Sequence, residues 1–200
     1  MRRIARTAAL CVIAAALVAG CASPPSHFYT LSSTATPASP PAAKPASLSV
    51  VVGPVSIPAI VDQPQIVVST GPNQVSIDEY HRWASPLANN IARVVAENLV
   101  AILGTPRVSL FQQSLGADAD YRVAIEVQSF ESAPGDAATL NAVWIVRRIR
   151  DGKAETGRTS VREPAQGKDF DALAAAHSRA LARLSADVAA VIQTLDRGTP

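Results

Sequence analysis

Two thiols, three imidazoles and one close pair of carboxylates are the side chains of this 200-residue chain whose types could do chemistry. Cys21 follows Val18-Ala19-Gly20, a thiol next to small residues, and a thiolate is a nucleophile open to alkylation. Cys11 lies in the uncharged run before it. His27, His81 and His177 have no metal-ligand spacing among them. His177 falls on the apolar stripe of a predicted helix, where a histidine is more often a satisfied core or rim residue than a ligand. Asp118 and Asp120 suggest a pair for acid–base work or for a cation, against the simpler reading of a soluble loop ahead of a strand. Arg147, Arg148 and Arg150 give one strand a basic end that could meet anionic headgroups or a partner. Neighbours in a strand alternate faces, however, which argues against one coherent patch. There is no G-x-S-x-G, no Walker loop, no G-x-G-x-x-G and no H-E-x-x-H. The expectation is a non-enzyme with no cofactor and no metal.

The first twenty residues read as an address rather than as part of the domain. Arg2, Arg3 and Arg6 precede an uncharged run from Thr7 to Ala19 and a small-residue end, the pattern of a secretory signal over residues 1–20. Its apolar core, Ala8 to Val18, is about half of the roughly 20 residues that a spanning helix needs. Leu17-Val18-Ala19-Gly20-Cys21 resembles the bacterial lipobox. That resemblance implies cleavage between Gly20 and Cys21, a diacylglyceryl group on the Cys21 sulfur and acylation of the new α-amine. One acyl chain binds a bilayer marginally, whereas two or three anchor stably. Ala22 and Ser23 follow the cysteine in place of Asp, which by the same resemblance implies the periplasmic face of the outer membrane.

With Cys11 in the leader and Cys21 in lipid, the mature domain has no free thiol. A disulfide, Cys-ligated zinc, an iron–sulfur cluster and Cys catalysis within one chain are then not expected. Removing residues 1–20 takes three arginines and no acid, so 18 basic against 16 acidic residues becomes 15 against 16. A near-neutral chain argues against nucleic acid as a partner.

Strands and helices must position these side chains. Residues 21–46 hold six Pro, six Ala and five Ser, a tether composition interrupted at His27 to Leu31 by a candidate edge strand. Residues 47–197 read as a single domain. Strands are predicted from Leu48, over Gln65 to Thr70, Val75 to Trp83, Arg107 to Phe111, Tyr121 to Phe130, Leu140 to Ile149 and Glu155 to Arg162. Tyr121 to Phe130 and Leu140 to Ile149 should form an antiparallel hairpin. Ser85 as N-cap and Pro86 at the first helical position open a helix whose apolar positions Leu87, Ile91, Val94, Val95, Leu99 and Leu103 recur until Gly104. A second helix spans Asp169 to Leu195, with Leu173, His177, Leu181, Leu184, Val188 and Ile192 on one stripe. The predicted class is α+β, a two-layer domain with a mainly antiparallel sheet and two principal helices.

Within this frame Val50 to Leu87 is more particular than a generic strand run. The stretch VVVGPVSIPAIVDQPQIVV, followed by EYHRWASPL, resembles the PqiC family, the ABC-type transport auxiliary lipoproteins of MCE-domain lipid transport systems. The likeness spans the mature chain: the lipobox, Tyr29 to Leu31, the G-P-V-x-I-P and D-x-P-Q-I-V runs, and Arg82-Trp83-Ala84-x-Pro86-Leu87. It implies a docking subunit at the outer membrane that meets a periplasmic MCE-domain protein and assists phospholipid movement or envelope integrity. An envelope scaffolding lipoprotein without a transport role is the alternative. Asp62, Gln65, Arg82 and Trp83 are the candidate partner contacts. Trp83 also has a bland role open to it, packing on the first helical turn, and Asp62-Gln63-Pro64 reads equally as a turn. A strand at Gln65 to Thr70 could pair with a partner's strand if it lies at a sheet edge. A ring-forming homo-oligomer would suit a ring-shaped tunnel, but no residue decides it.

Overall fold

The computed structural model describes residues 24–36, 48–111 and 119–197. Gly20, Cys21 and Asp118 lie outside the described residues. The strands are β1 (His27–Tyr29), β2 (Val50–Ser56), β3 (Gln65–Gly71), β4 (Gln74–Trp83), β5 (Val108–Leu110), β6 (Tyr121–Ala133), β7 (Ala137–Arg148) and β8 (Ala154–Pro164), and the helices are α1 (Leu87–Leu103) and α2 (Phe170–Arg197). The class is α+β with two principal helices, and the long ladders β6–β7 and β7–β8 are antiparallel. The β6–β7 hairpin forms, closing through Asp136 N–H to Ala133 O at 3.0 Å.

Two features differ from the single mainly antiparallel sheet expected. The strands divide into a five-stranded sheet, ordered β5-β2-β6-β7-β8, and a three-stranded one, ordered β1-β4-β3. Three pairings are also parallel: β1 with β4, and β2 with both β5 and β6. Parallel neighbours need a long crossover, and the stretch containing α1 supplies one between β2 and β5. A short 3-10 turn at Ala59–Val61 takes the chain out of the large sheet before the β3–β4 hairpin starts the small one.

Burial obeys the two periodicities. Tyr121, Val123, Ile125 and Val127 of β6 are buried while Arg122 and Glu126 face out. A register shift after Val127 then keeps Phe130 and Ser132 on the inner side. Leu87, Ile91, Val94, Val95, Leu99 and Leu103 of α1 and Leu173, Leu181, Leu184, Val188 and Ile192 of α2 are buried, and all but Leu173 join one core with β2, β6 and β7. Gly157 on β8 lets the Trp144 indole lie against the strand, because a Cβ there would sit 2.2 Å from the ring.

The start of α1 is a correction. Ser85 makes no side-chain capping bond, and Pro86 is the N-cap, with ψ 127° and a carbonyl that accepts from Asn90 N–H at 3.0 Å. The extended ψ of Pro86 keeps it outside the helix, which starts one residue later, and Gly104 closes it at φ 64° with its N–H on Val100 O.

The predicted edge strand His27 to Leu31 ends at Tyr29, and residues 30–36, of which 32–36 read as tether, are held by the helices. Leu31 is fully buried. Ser32 N–H donates to Ser178 Oγ at 3.1 Å, Ser33 Oγ to Asn98 Oδ1 at 2.7 Å, Ala35 N–H to the same oxygen at 3.2 Å, and Arg93 Nη2 to Leu31 O at 2.5 Å. Asn98 in turn donates to Ser185 Oγ at 3.2 Å. Asn98 Oδ1 and Ser178 Oγ, buried on the two helices, therefore find partners in this strap, whereas Asn90 Nδ2 has none among the described residues.

Candidate functional site

The 3-10 turn is closed by Val61 N–H to Pro58 O at 3.0 Å and Asp62 N–H to Ala59 O at 3.3 Å, and it aims Asp62-Gln63-Pro64 at the start of β3. At the other end of the hairpin Trp83 N–H donates to Pro64 O at 2.7 Å, and Ala84 N–H donates to Tyr29 O at 2.8 Å. These bonds bring together two stretches that the sequence keeps apart. Asp62, Gln63 and Pro64 line one side of an open hollow of about 400 Å³, and Trp83 to Leu87 line the other. Gln65 and Arg82 do not line it; they are strand partners in the sheet beside it. All four candidate contacts are thus neighbours, with Asp62 and Trp83 in the hollow.

The tryptophan is held from below. Only 5% exposed, Trp83 meets Phe130 edge-on at 6.1 Å and His177 edge-on at 6.2 Å. His177 stacks on Phe130 at 3.8 Å, and its Nε2 lies 2.8 Å from Ser132 Oγ. Burial pushes its pKa down to about 3, so this imidazole is neutral. Its Nδ1 has no hydrogen-bond partner among the described residues. His177 is a core residue beneath the hollow, as its place on the apolar stripe suggested.

The other two histidines come together at the small sheet. His27 stacks on His81 at 5.4 Å, and His81 stacks on Phe170 of α2 at 3.9 Å. His81 Nδ1 lies 2.7 Å from Asp78 Oδ1, which also accepts from the Tyr80 and His81 backbone N–H groups. Burial works to raise the Asp78 carboxyl, but these hydrogen bonds outweigh it and hold the group below its ordinary value. No group of three or more His, Cys, Asp or Glu placed to hold a metal occurs among the described residues.

The remaining candidates are structural. Asp120 accepts from Ser49 N–H at 2.7 Å and Ser49 Oγ at 2.8 Å, a clip between the starts of β2 and β6. Arg148 is 7% exposed and turns inward, donating to both Asp151 carboxylate oxygens and, at 2.6 Å, to Leu195 O near the end of α2. The Arg148 hydrogen bond holds the Asp151 carboxyl down at about 2. The basic strand end is therefore no patch, because its middle arginine caps a helix. Sequence reasoning missed the Phe130–His177–Trp83 stack; three large rings at inward positions of three different elements were the available signal.

The fold is shared by the crystal structure of a Xanthomonas campestris protein, with a TM-score of 0.68 and 23% identity over 86% of this chain and 100% of that one. A second crystal structure, of an uncharacterized protein, gives a TM-score of 0.68 at 20% identity over 84% and 99%. A PelC dodecamer from Paraburkholderia phytofirmans scores 0.37 at 14% identity over 77% and 92%, too weak a likeness to bear on assembly here. No curated protein matches the chain at a significant level. The family model described as the ABC-type transport auxiliary lipoprotein component matches residues 29–189, and the chain belongs to that family.

Proposed function

We propose that this transport-associated lipoprotein is cleaved after Gly20, acylated at Cys21 and held at the periplasmic face of the outer membrane. There it serves as the docking subunit of an MCE-type, Pqi-like system that moves phospholipid or maintains envelope integrity. The observation that carries this reading is the convergence of Asp62-Gln63-Pro64 and Trp83-Ala84-Ser85-Pro86-Leu87 on one open hollow. These are residues of the two stretches that most particularise the sequence, and they meet at a surface rather than in the core. Ala84, Ser85 and Pro86 are exposed while Leu87 and Trp83 are buried beneath them. The lining therefore offers an apolar floor with one carboxylate and one amide at its rim, suited to a partner loop that presents an apolar tip and a hydrogen-bond donor. β3 lies at the edge of the three-stranded sheet, which meets the condition for strand pairing with a partner. No helix among the described residues is long and apolar enough to cross a membrane.

The test is a photo-crosslinking amino acid in place of Ser85, whose exposed side chain is not needed for packing, in acylated protein within intact envelopes. Adducts with an MCE-domain protein are expected. Adducts with unrelated envelope proteins alone would refute the docking role.

A further inference from the structure

Chain length fixes which part of the fold can face whatever holds Cys21. Pro24, the first described residue, comes three chain steps after Cys21, so fully extended chain bridges at most about 10 Å. Phe28 comes within about 25 Å of Cys21 by the same measure. β1 is fixed in parallel register on β4, His27 opposite His81, Phe28 opposite Arg82 and Tyr29 opposite Trp83. Partners in a ladder share a face and neighbours alternate, so Phe28 and Arg82 project from one face while the rings of His27, Tyr29 and His81 pack toward Phe170 on the other. Gln65, paired with Arg82, continues the row onto β3.

That outer corner has an unusual composition. Phe28 is 64% exposed, more than any other large apolar side chain among the described residues, and Tyr80 nearby on β4 is 42% exposed. Arg82 donates through Nε to Glu79 O and makes no ion pair among the described residues. An exposed phenyl paired across the ladder with a guanidinium that makes no ion pair among the described residues, and an exposed phenol two residues away along β4, match the layers of a bilayer surface, where aromatic rings sit at headgroup level and cations meet lipid phosphate.

We infer that Phe28, Tyr80 and Arg82 form the surface by which this domain rests on a phospholipid bilayer, so that the corner near the N-terminus of α2 faces lipid and the β7–β8 turn points away. This rests on the acylation of Cys21 proposed above. It adds an orientation: the tether is too short to let the domain turn a distant face to the membrane. Phe170, at the start of α2, stacks on His81 of this corner, whereas Leu195, near its end, is bonded to Arg148 beside the β7–β8 turn. These ends stand about 37 Å apart along the helix.

With Cys21 acylated, one introduced cysteine is the only free thiol of the mature chain. Acylated full-chain Phe28→Cys and Lys153→Cys, each labelled with an environment-sensitive fluorophore, are reconstituted in phosphatidylethanolamine–phosphatidylglycerol vesicles carrying a headgroup-level spin-labelled lipid. Both side chains are exposed, so neither substitution disturbs the core. Quenching at least several-fold stronger at position 28 than at 153 is expected. Equal quenching at the two positions, on protein whose intact mass shows the acyl groups, overturns the orientation alone. Label at 28 shielded from iodide but unquenched by lipid assigns the corner to a second copy of the chain and equally overturns it. Protein whose mass shows no acyl group overturns the anchor, and the orientation with it.

Discussion

His177 gives the domain a pH dependence that a single substitution should remove. Buried completely and stacked on Phe130, the imidazole has its pKa pushed down from 6.5 to about 3, with burial as the cause. Below pH 6.5 the unfolded chain therefore takes up a proton that the folded chain refuses until about pH 3. The contribution of the neutral ring to stability is whole above 6.5 and is lost as the pH falls. Each pH unit in that window costs about 1.4 kcal/mol, so a drop to pH 5 costs about 2 kcal/mol. That figure depends on the unfolded value, because pH 5 lies well above the folded one. The substitution is His177→Gln, whose amide reaches toward Ser132 Oγ but does not titrate in this range. Urea unfolding of the protein lacking residues 1–21, at pH 7.5 and pH 5, should show the wild type losing about 2 kcal/mol and the variant losing little. Loss of the stack on Phe130 lowers the variant's stability at both pH values by about 1 kcal/mol, which leaves the difference between them intact. An equal fall in both proteins would refute the assignment of the pH dependence to this ring.

The geometry carries three more expected outcomes. Gly157→Ala places a methyl 2.2 Å from the Trp144 ring, so the indole must move and its Nε1 bond to Thr159 Oγ1 at 3.0 Å breaks. A loss of about 1–3 kcal/mol with a red-shifted tryptophan emission is expected, and unchanged stability would count against the packing described. Asn98→Ala leaves Ser33, Ala35 and Ser185 without their common partner. It should cost about 1–3 kcal/mol and speed amide exchange at Ser32 and Ala35; exchange at the wild-type rate would mean that the strap is held by something else. Cys21→Ala should leave a precursor that retains residues 1–20 and carries no acyl mass, and normal fractionation with the outer membrane would sink the anchor.

How far the fold was legible depended on whether an element's partners were local. α1 shows its course and its end because a 3.6-residue apolar stripe is followed by Gly104, the residue suited to a left-handed cap. The β6–β7 hairpin shows itself because both strands alternate and a short turn joins them. The division into two sheets did not show, because nothing in the β3–β4 hairpin itself says that its third strand comes from residues 27–29. The strap at 32–36 reads as linker because its contacts are polar, and Ser and Thr in a sequence look the same whether water or a buried amide satisfies them. The signal lay on the other side of those bonds: Asn90 and Asn98 sit among the apolar positions of α1, and both are buried. An asparagine inside a helix stripe calls for a partner, and for Asn98 Oδ1 the partner is the chain's own N-terminal segment. Of the candidate site, residue types in Asp62-Gln63-Pro64 and Arg82 to Leu87 were visible. Their meeting was not, since it depends on the single bond from Trp83 N–H to Pro64 O and on a bulged β4 whose register jumps between Asp78 and Arg82.

β1 links these observations. Its three residues pair with the last three of β4, and its final carbonyl accepts from Ala84 N–H, the residue that begins the rim of the hollow. The chain then continues directly into the strap between the helices. With Cys21 acylated as proposed, Tyr29 lies at most about 28 Å from the lipid, and the rim bonded to it lies scarcely further. A partner that enters this hollow would therefore bring its docking loop to within about 30 Å of the bilayer. The same bonds keep the hollow from swinging on a free tether, because Leu31 is buried in the core and Ser32, Ser33 and Ala35 are bonded to Ser178 and Asn98. β1, hollow and helix pair thus move as one body. With Cys21 acylated as proposed, a short leash whose far end is buried would convert a lipid attachment, which by itself fixes only a distance, into one that also fixes a direction.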